Sequence, residues 1–330
     1  MSTLQSVPRE LRDHVLHHVI LAQQNDAPSL DQSFNDLIQD REILLSPRLG
    51  AWCKTVLYQP TNVVANASSL LLVNHQIRRE TQENIKRLGA RQYDLDVIIL
   101  DEILPLPTWL RIPVLTNSLD AVNVTFRIAG KFDRKKQRND DGSETPYRKY
   151  GSYRGFGIGN GAGPAMGWQI YGILERFIKA GPVGKLEDNK IHTHRHMTVK
   201  TIDINVETPQ DVDPSASGNP ISASLMSSLR DDADTVLSPE YLARFVAQNM
   251  NGLLAGGDRE WFAYGKVLYE YVDFIVIRHD GVEIKRLDVA ERLRGVGGFQ
   301  EKYVSEKELQ DYKAATWAKR KIRGLRVLSD

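Results

Sequence analysis

His192, His194 and His196 alternate in the stretch HTHRH, so on a strand all three imidazoles would leave from one face. Imidazoles at that spacing can ligate a transition metal, with Glu187 or Asp188 close by in sequence as a carboxylate ligand. The competing reading is a polar strand mouth carrying solvated histidines, since no second histidine cluster completes a site. Asp94, Asp96, Asp101 and Glu102 flank an apolar run. Two carboxylates at alternating positions suit magnesium or acid–base work, but they equally suit the exposed face of a strand. Cys53 follows Trp52 in an apolar setting and reads as a small buried hydrophobe rather than an activated thiolate.

The glycine-rich stretch GFGIGNGAGPAMG, residues 155–167, invites a phosphate-cradle reading. The residues before it are not an apolar strand, and no acidic residue stands where a ribose would be held, so a flexible or close-packed turn leading into the 165–181 helix is favoured. AGPVGKLED also fails as a phosphate loop, because Leu186 stands where Ser or Thr should bind magnesium. Residues 131–154 hold eight basic and four acidic side chains, with Tyr147, Tyr150 and Tyr153 interleaved. Aromatics among arginines can stack on bases, which makes this loop the candidate for nucleic-acid contact.

Several elements must position these groups. SVPRELRDHVLHHVIL predicts an amphipathic helix with Leu11, Val15, Leu16, Val19 and Ile20 on one stripe, Pro8 in its first turn and Ser6 as its cap. SSLLLVNHQIRRETQENIKRLG predicts a second helix, capped by Ser68 or Ser69 and closed at Gly89. Residues 93–100, 121–130 and 197–208 alternate as strands, and the connection LPLPTWLRIPVLTNSL is expected to hold a short helix. A helix over 165–181 lies between the second and third strands, so parallel pairing is expected. Ser238 caps a further helix, Asp280-Gly281 turns a hairpin, and a basic-ended helix closes the chain.

The bulk numbers limit the function. The chain has 330 residues with 43 Lys plus Arg against 42 Asp plus Glu, a net charge of +1. Such a balance supplies no global field for a polyanion or an anionic membrane. Apolar residues at 41% and charged residues at 26% describe a globular protein. The single cysteine excludes an internal disulfide and points to a reducing compartment, cytoplasmic or nuclear. No run approaches the roughly 20 apolar residues of a membrane span.

The pair VPRELRDHVLHHVI and LLLVNHQIRRET resembles the F-box-like proteins of filamentous ascomycete fungi. The resemblance continues through YDLDVIILDEILPLPTWLRIPVLTNSLDAVNVTFRIAG and WQIYGILERFIKAGPVG, the body of one such uncharacterised family. It implies that the opening helix docks on the Skp-type adaptor of a cullin ubiquitin ligase while the body presents a substrate. Val7, Pro8, Glu10 and Leu11 match the opening motif, and Leu71, Leu72, Val73 and Asn74 match the second helix. With Val15 on the same helix, Val7, Pro8, Glu10 and Leu11 are the partner-binding residues this implies. Read from the residues alone, the stripe is expected first to pack at least partly into the protein's own core against residues 70–88, with partner docking as the alternative.

The expected fold is α+β, with a mixed, partly parallel sheet and packed helices. An F-box-like helical segment over 1–90 leads a body over 91–330, which carries polar loops at 131–164 and 208–237. The expected function is protein–protein interaction without catalytic residues or a cofactor. Two alternatives stay open: a metal- or nucleotide-dependent enzyme using His192, His194 and His196, and a nucleic-acid-associated protein using the 131–154 loop.

Overall fold

The computed structural model describes residues 4–43, 56–59, 64–131, 155–156, 164–182, 196–210, 217–218, 236–255, 259–297 and 305–328. In chain order its elements begin with α1 (Arg9–Leu21), α2 (Phe34–Ile38), β1 (Glu42–Ile43), β2 (Leu57–Tyr58), α3 (Asn66–Val73) and α4 (His75–Arg87). Then follow β3 (Gln92–Leu100), β4 (Leu104–Arg111), β5 (Ser118–Ala129), α5 (Ala165–Ala180), β6 (Thr198–Val206), β7 (Ser217–Gly218) and β8 (Val236–Leu237). The chain closes with α6 (Pro239–Leu253), α7 (Arg259–Tyr271), β9 (Val272–His279), β10 (Val282–Asp288), α8 (Val289–Gly295) and α9 (Glu306–Ile322).

Six strands form one sheet in the order β10-β9-β6-β5-β3-β4. The four central strands run parallel, and each edge strand pairs antiparallel with its neighbour. The fold is therefore α+β with a mixed, partly parallel sheet, as the alternation of strands and crossover helices implies. Period-2 alternation sets its two faces. Leu95 and Val97 of β3, Val124 and Phe126 of β5, Ile202 and Ile204 of β6 and Ile277 of β9 belong to one buried core. That core includes Ile170, Leu174, Phe177 and Ile178 of α5, Leu242 and Val246 of α6 and Leu309 of α9.

The opposite face is polar and runs in register across the strands. Asp94 pairs with Asn123, and Asn123 with Asp203; one step on, Asp96, Thr125, Asn205 and Arg278 form a second row. The first row ends on the buried Val276 of β9, and near β4 this face is apolar as well. There Ile98, Leu100, Leu104 and Leu106 join Leu37 and Leu57 in a second, smaller core.

Three local expectations are corrected. LPLPTWLR is strand β4, not a short helix. Pro105 and Pro107 fit because β4 is an edge strand, which can lack donors on its outer side. The helix expected across 68–89 breaks at Asn74, whose backbone is extended and whose side chain accepts from the Ile77 N–H to cap α4. α3 starts instead after Ala65, with no side-chain cap, and α4 closes at Leu88, without Gly89 in a left-handed turn. Pro8, not Ser6, precedes the first turn of α1. By contrast, Ser238 caps α6, Asp280 and Gly281 both take positive φ in the hairpin, and Ser305 with Glu308 makes a capping box on α9.

The helical start of the chain is tied to the sheet edge. The Gln24 N–H donates to Leu110 O at 2.8 Å, and the Asn66 N–H to Ile112 O at 2.9 Å. Arg41 reaches across the same region, donating to Leu37 O, Leu57 O, Pro107 O and Thr108 Oγ1.

Candidate functional site

α1 is built with a polar side turned inward. Arg12, only 8% exposed, donates from Nε and Nη2 to the two carboxylate oxygens of Glu80 on α4, at 3.0 and 2.6 Å. Its Nη1 donates to Val7 O, which fixes the chain just ahead of the helix. Asp13 accepts from Asn84 Nδ2 and Arg87 Nη1, both at 3.0 Å, and Arg9 pairs with Glu83. The Arg12 hydrogen bonds pull the Glu80 carboxyl down to about 2, against the opposing effect of burial. Leu16 and Ile20 share this inner side and are fully buried.

The apolar stripe predicted as one face is therefore split in two. Leu11 is 55% exposed, Val15 43% and Val19 41%. These three lie at i, i+4 and i+8, one above the other on the outer side of the helix. An amphipathic helix normally turns such a row toward its own core. Here a charged pair occupies the inner side, and three aliphatic side chains face outward. Leu72 and Val73, at the end of α3, are also exposed, at 82% and 62%.

Of the other expected docking residues, Val7 is half-buried, and Pro8 and Glu10 are exposed. Leu71 is half-buried, and Asn74 is the α4 cap. The pattern that marks the inner side is present in the sequence as complementary charge: Arg9, Arg12 and Asp13 on one helix face Glu80, Glu83, Asn84 and Arg87 on the other. Hydropathy alone does not reveal it.

The acidic residues do not gather. Asp94 pairs with Arg111 at 2.6 Å and accepts from Asn123. Asp96 is gripped by Arg127 at 2.6 and 2.8 Å, and burial raises its carboxyl above the usual range. Asp101 and Glu102 instead form the buried β3–β4 turn, both with positive φ, at 49° and 61°. Gly130 and Gly155 close against that turn. A Cβ on Gly155 would come within 1.9 Å of Glu102 O, and the Met166 N–H at the start of α5 donates to Gly155 O at 2.6 Å. This part of the glycine-rich stretch is a close-packed approach to the turn. Residues 157–163 lie outside the described residues.

His196 meets the Tyr271 hydroxyl through Nδ1 at 2.5 Å, and Arg323 donates to the same hydroxyl at 3.0 Å. His192, His194 and Cys53 lie outside the described residues, as does the basic loop apart from Lys131, Gly155 being the first residue described after it. Among the described residues no three His, Cys, Asp or Glu side chains are placed to hold one metal ion. No described helix is long and apolar enough to cross a membrane.

A feature the sequence did not announce is a cavity of about 600 Å³ over the carboxyl ends of β5, β6 and β9. Arg127 and Asn205 line it from the sheet, Glu207 and Asp280 from just beyond the ends of β6 and β9, and Asp31 from the loop before α2. Asp280 is pinned by the Thr208 N–H and hydroxyl at 2.8 and 2.7 Å. No family model, no curated protein and no solved structure matches this chain.

Proposed function

We propose that the protein works through protein–protein interaction, with the outer side of α1 as its docking face. On this reading it serves as a substrate adaptor, binding the Skp-type adaptor of a cullin ubiquitin ligase through α1 and presenting a target on its α/β body. The observation that carries the reading is the exposure of Leu11, Val15 and Val19 on a helix already anchored through Arg12 and Glu80. A row of aliphatic side chains at i, i+4 and i+8 is what an apolar groove takes from a helix. Each such side chain contributes roughly 1.5–3 kcal/mol when fully removed from water. The ion pairs hold the helix in place in the free protein, so little ordering cost is left for binding. The resemblance of VPRELRDHVLHHVI and LLLVNHQIRRET to F-box-like segments supplies the identity of the partner.

The test is co-purification of the Skp-type adaptor with the full chain and with Leu11→Asp, Val15→Asp. Both positions are exposed, so the double variant keeps its fold and loses the adaptor. A wild type that folds and never retains the adaptor overturns the reading.

A further inference from the structure

We propose that His14 and His18 form a two-imidazole clamp for a late first-row divalent cation on the exposed side of α1. α1 is continuous from Arg9 to Leu21. Residues four apart on such a helix stand one above the other, with Cβ atoms about 5–6 Å apart. Both histidines are exposed, and among the described residues no hydrogen bond or ion pair reaches either ring. Metal–imidazole bonds of about 2.0–2.1 Å let two rings so spaced converge on one ion.

His17 is not equivalent. It stands edge-on to His18, with ring centroids 6.3 Å apart and planes at 76°. His17 lies a full 100° around the helix from His18, off the row that His14 and His18 share.

The charge around the clamp favours a cation. Between residues 10 and 21 the only Lys or Arg is Arg12, which is turned inward to Glu80. Glu10 lies one turn ahead of His14 on the same side and is exposed. Arg9, at the end of the helix, is paired with Glu83. The remaining coordination positions belong to water, because the described residues hold no set of three ligating side chains. Neutral imidazole selects copper, nickel and zinc over magnesium and calcium, and affinity should follow Cu²⁺ above Ni²⁺ and Zn²⁺, with Mn²⁺ far below. This inference stands independently of the docking reading, since it needs no partner.

The experiment is calorimetric titration of NiCl₂, CuCl₂ and ZnCl₂ into the untagged full chain carrying His192→Ala and His194→Ala, which removes the HTHRH segment as a competing site. The expected result is saturable one-to-one binding in that background. His14→Ala or His18→Ala should each weaken it about tenfold or more, since each removes the second arm of a chelate. His17→Ala should leave it unchanged. All three positions are exposed on a helix, so circular dichroism should be unaltered and a loss of binding is not a loss of fold. Absent saturation, an affinity indifferent to His18→Ala, or an equal loss in His17→Ala each overturns the clamp.

Discussion

Arg12 and Glu80, 68 residues apart in sequence, close as a two-pronged ion pair inside the interface of α1 and α4. The pair decides which side of α1 faces the protein. It leaves Leu11, Val15 and Val19 outside, and the docking reading rests on that consequence.

The pair gives α1 an acid limit. Glu80 is held at about 2 in the fold, below the ordinary carboxylate value of about 4.3. A carboxyl depressed by folding contributes stability that is complete above the unfolded value and is lost as pH falls through the folded one. Stability should therefore decline between about pH 4.3 and pH 2. Glu80→Gln should lower the melting temperature at pH 7 and flatten that acid limb. Melting curves at half-unit pH steps read both effects, and parallel limbs in wild type and variant would contradict this assignment.

Leucines five positions apart on the same helix should behave in opposite ways. Leu16→Ala removes a fully buried side chain and should cost about 2–5 kcal/mol. Leu11→Ala removes an exposed one and should stay within about 0.5 kcal/mol of wild type. Urea unfolding of the two variants measures the difference. Equal costs would mean that the outer row is sealed within the protein.

Arg320 ties the last helix to the sheet. It is fully buried and donates to Tyr269 O, Val272 O and Arg326 O and to Asp273 Oδ1, at 2.6 to 2.8 Å. Arg320→Ala leaves the buried Asp273 without its ion-pair partner, keeping only the Arg326 N–H, and should cost about 3–5 kcal/mol. Arg320→Lys should recover little, because one ammonium cannot reproduce the planar fork. Chemical denaturation checks the order wild type, then lysine, then alanine.

Two glycines make a matched pair. Gly155→Ala drives a methyl to 1.9 Å from the backbone oxygen of Glu102 and should cost about 1–3 kcal/mol or more. Gly89→Ala meets nothing within 4 Å and has no positive φ, so it should be neutral or stabilise by up to about 1 kcal/mol. The measurement is the unfolding midpoint of each variant.

Much of the sheet is legible in the sequence, because β5, β6 and the first half of β3 alternate apolar and polar residues, and Asp280-Gly281 marks the β9–β10 hairpin. β4 is not, since Pro105 and Pro107 look like turn residues until β4 is known to be an edge. Asn74 is hidden inside an apolar helical run, although its capping chemistry is ordinary. The helix itself is legible in its apolar spacing, yet the split of its stripe into buried Leu16 and Ile20 and exposed Leu11, Val15 and Val19 is not. A hydropathy pattern cannot show that Arg12 lies inside, because its partner is on another helix. The cavity over β5, β6 and β9 is illegible for the same reason: Asp31, Arg127, Glu207 and Asp280 meet only through the topology.

The central claim, that the outer side of α1 docks an adaptor, is tested most directly by surface-immobilised Skp-type adaptor titrated with the purified full chain. Wild type should bind saturably. Leu11→Asp, Val15→Asp should bind at least about tenfold more weakly at unchanged melting temperature, the loss expected when two half-exposed anchors, together about 1.5–3 kcal/mol, are removed. Saturable binding that is indifferent to the double variant, or a folded wild type with no binding, contradicts the account.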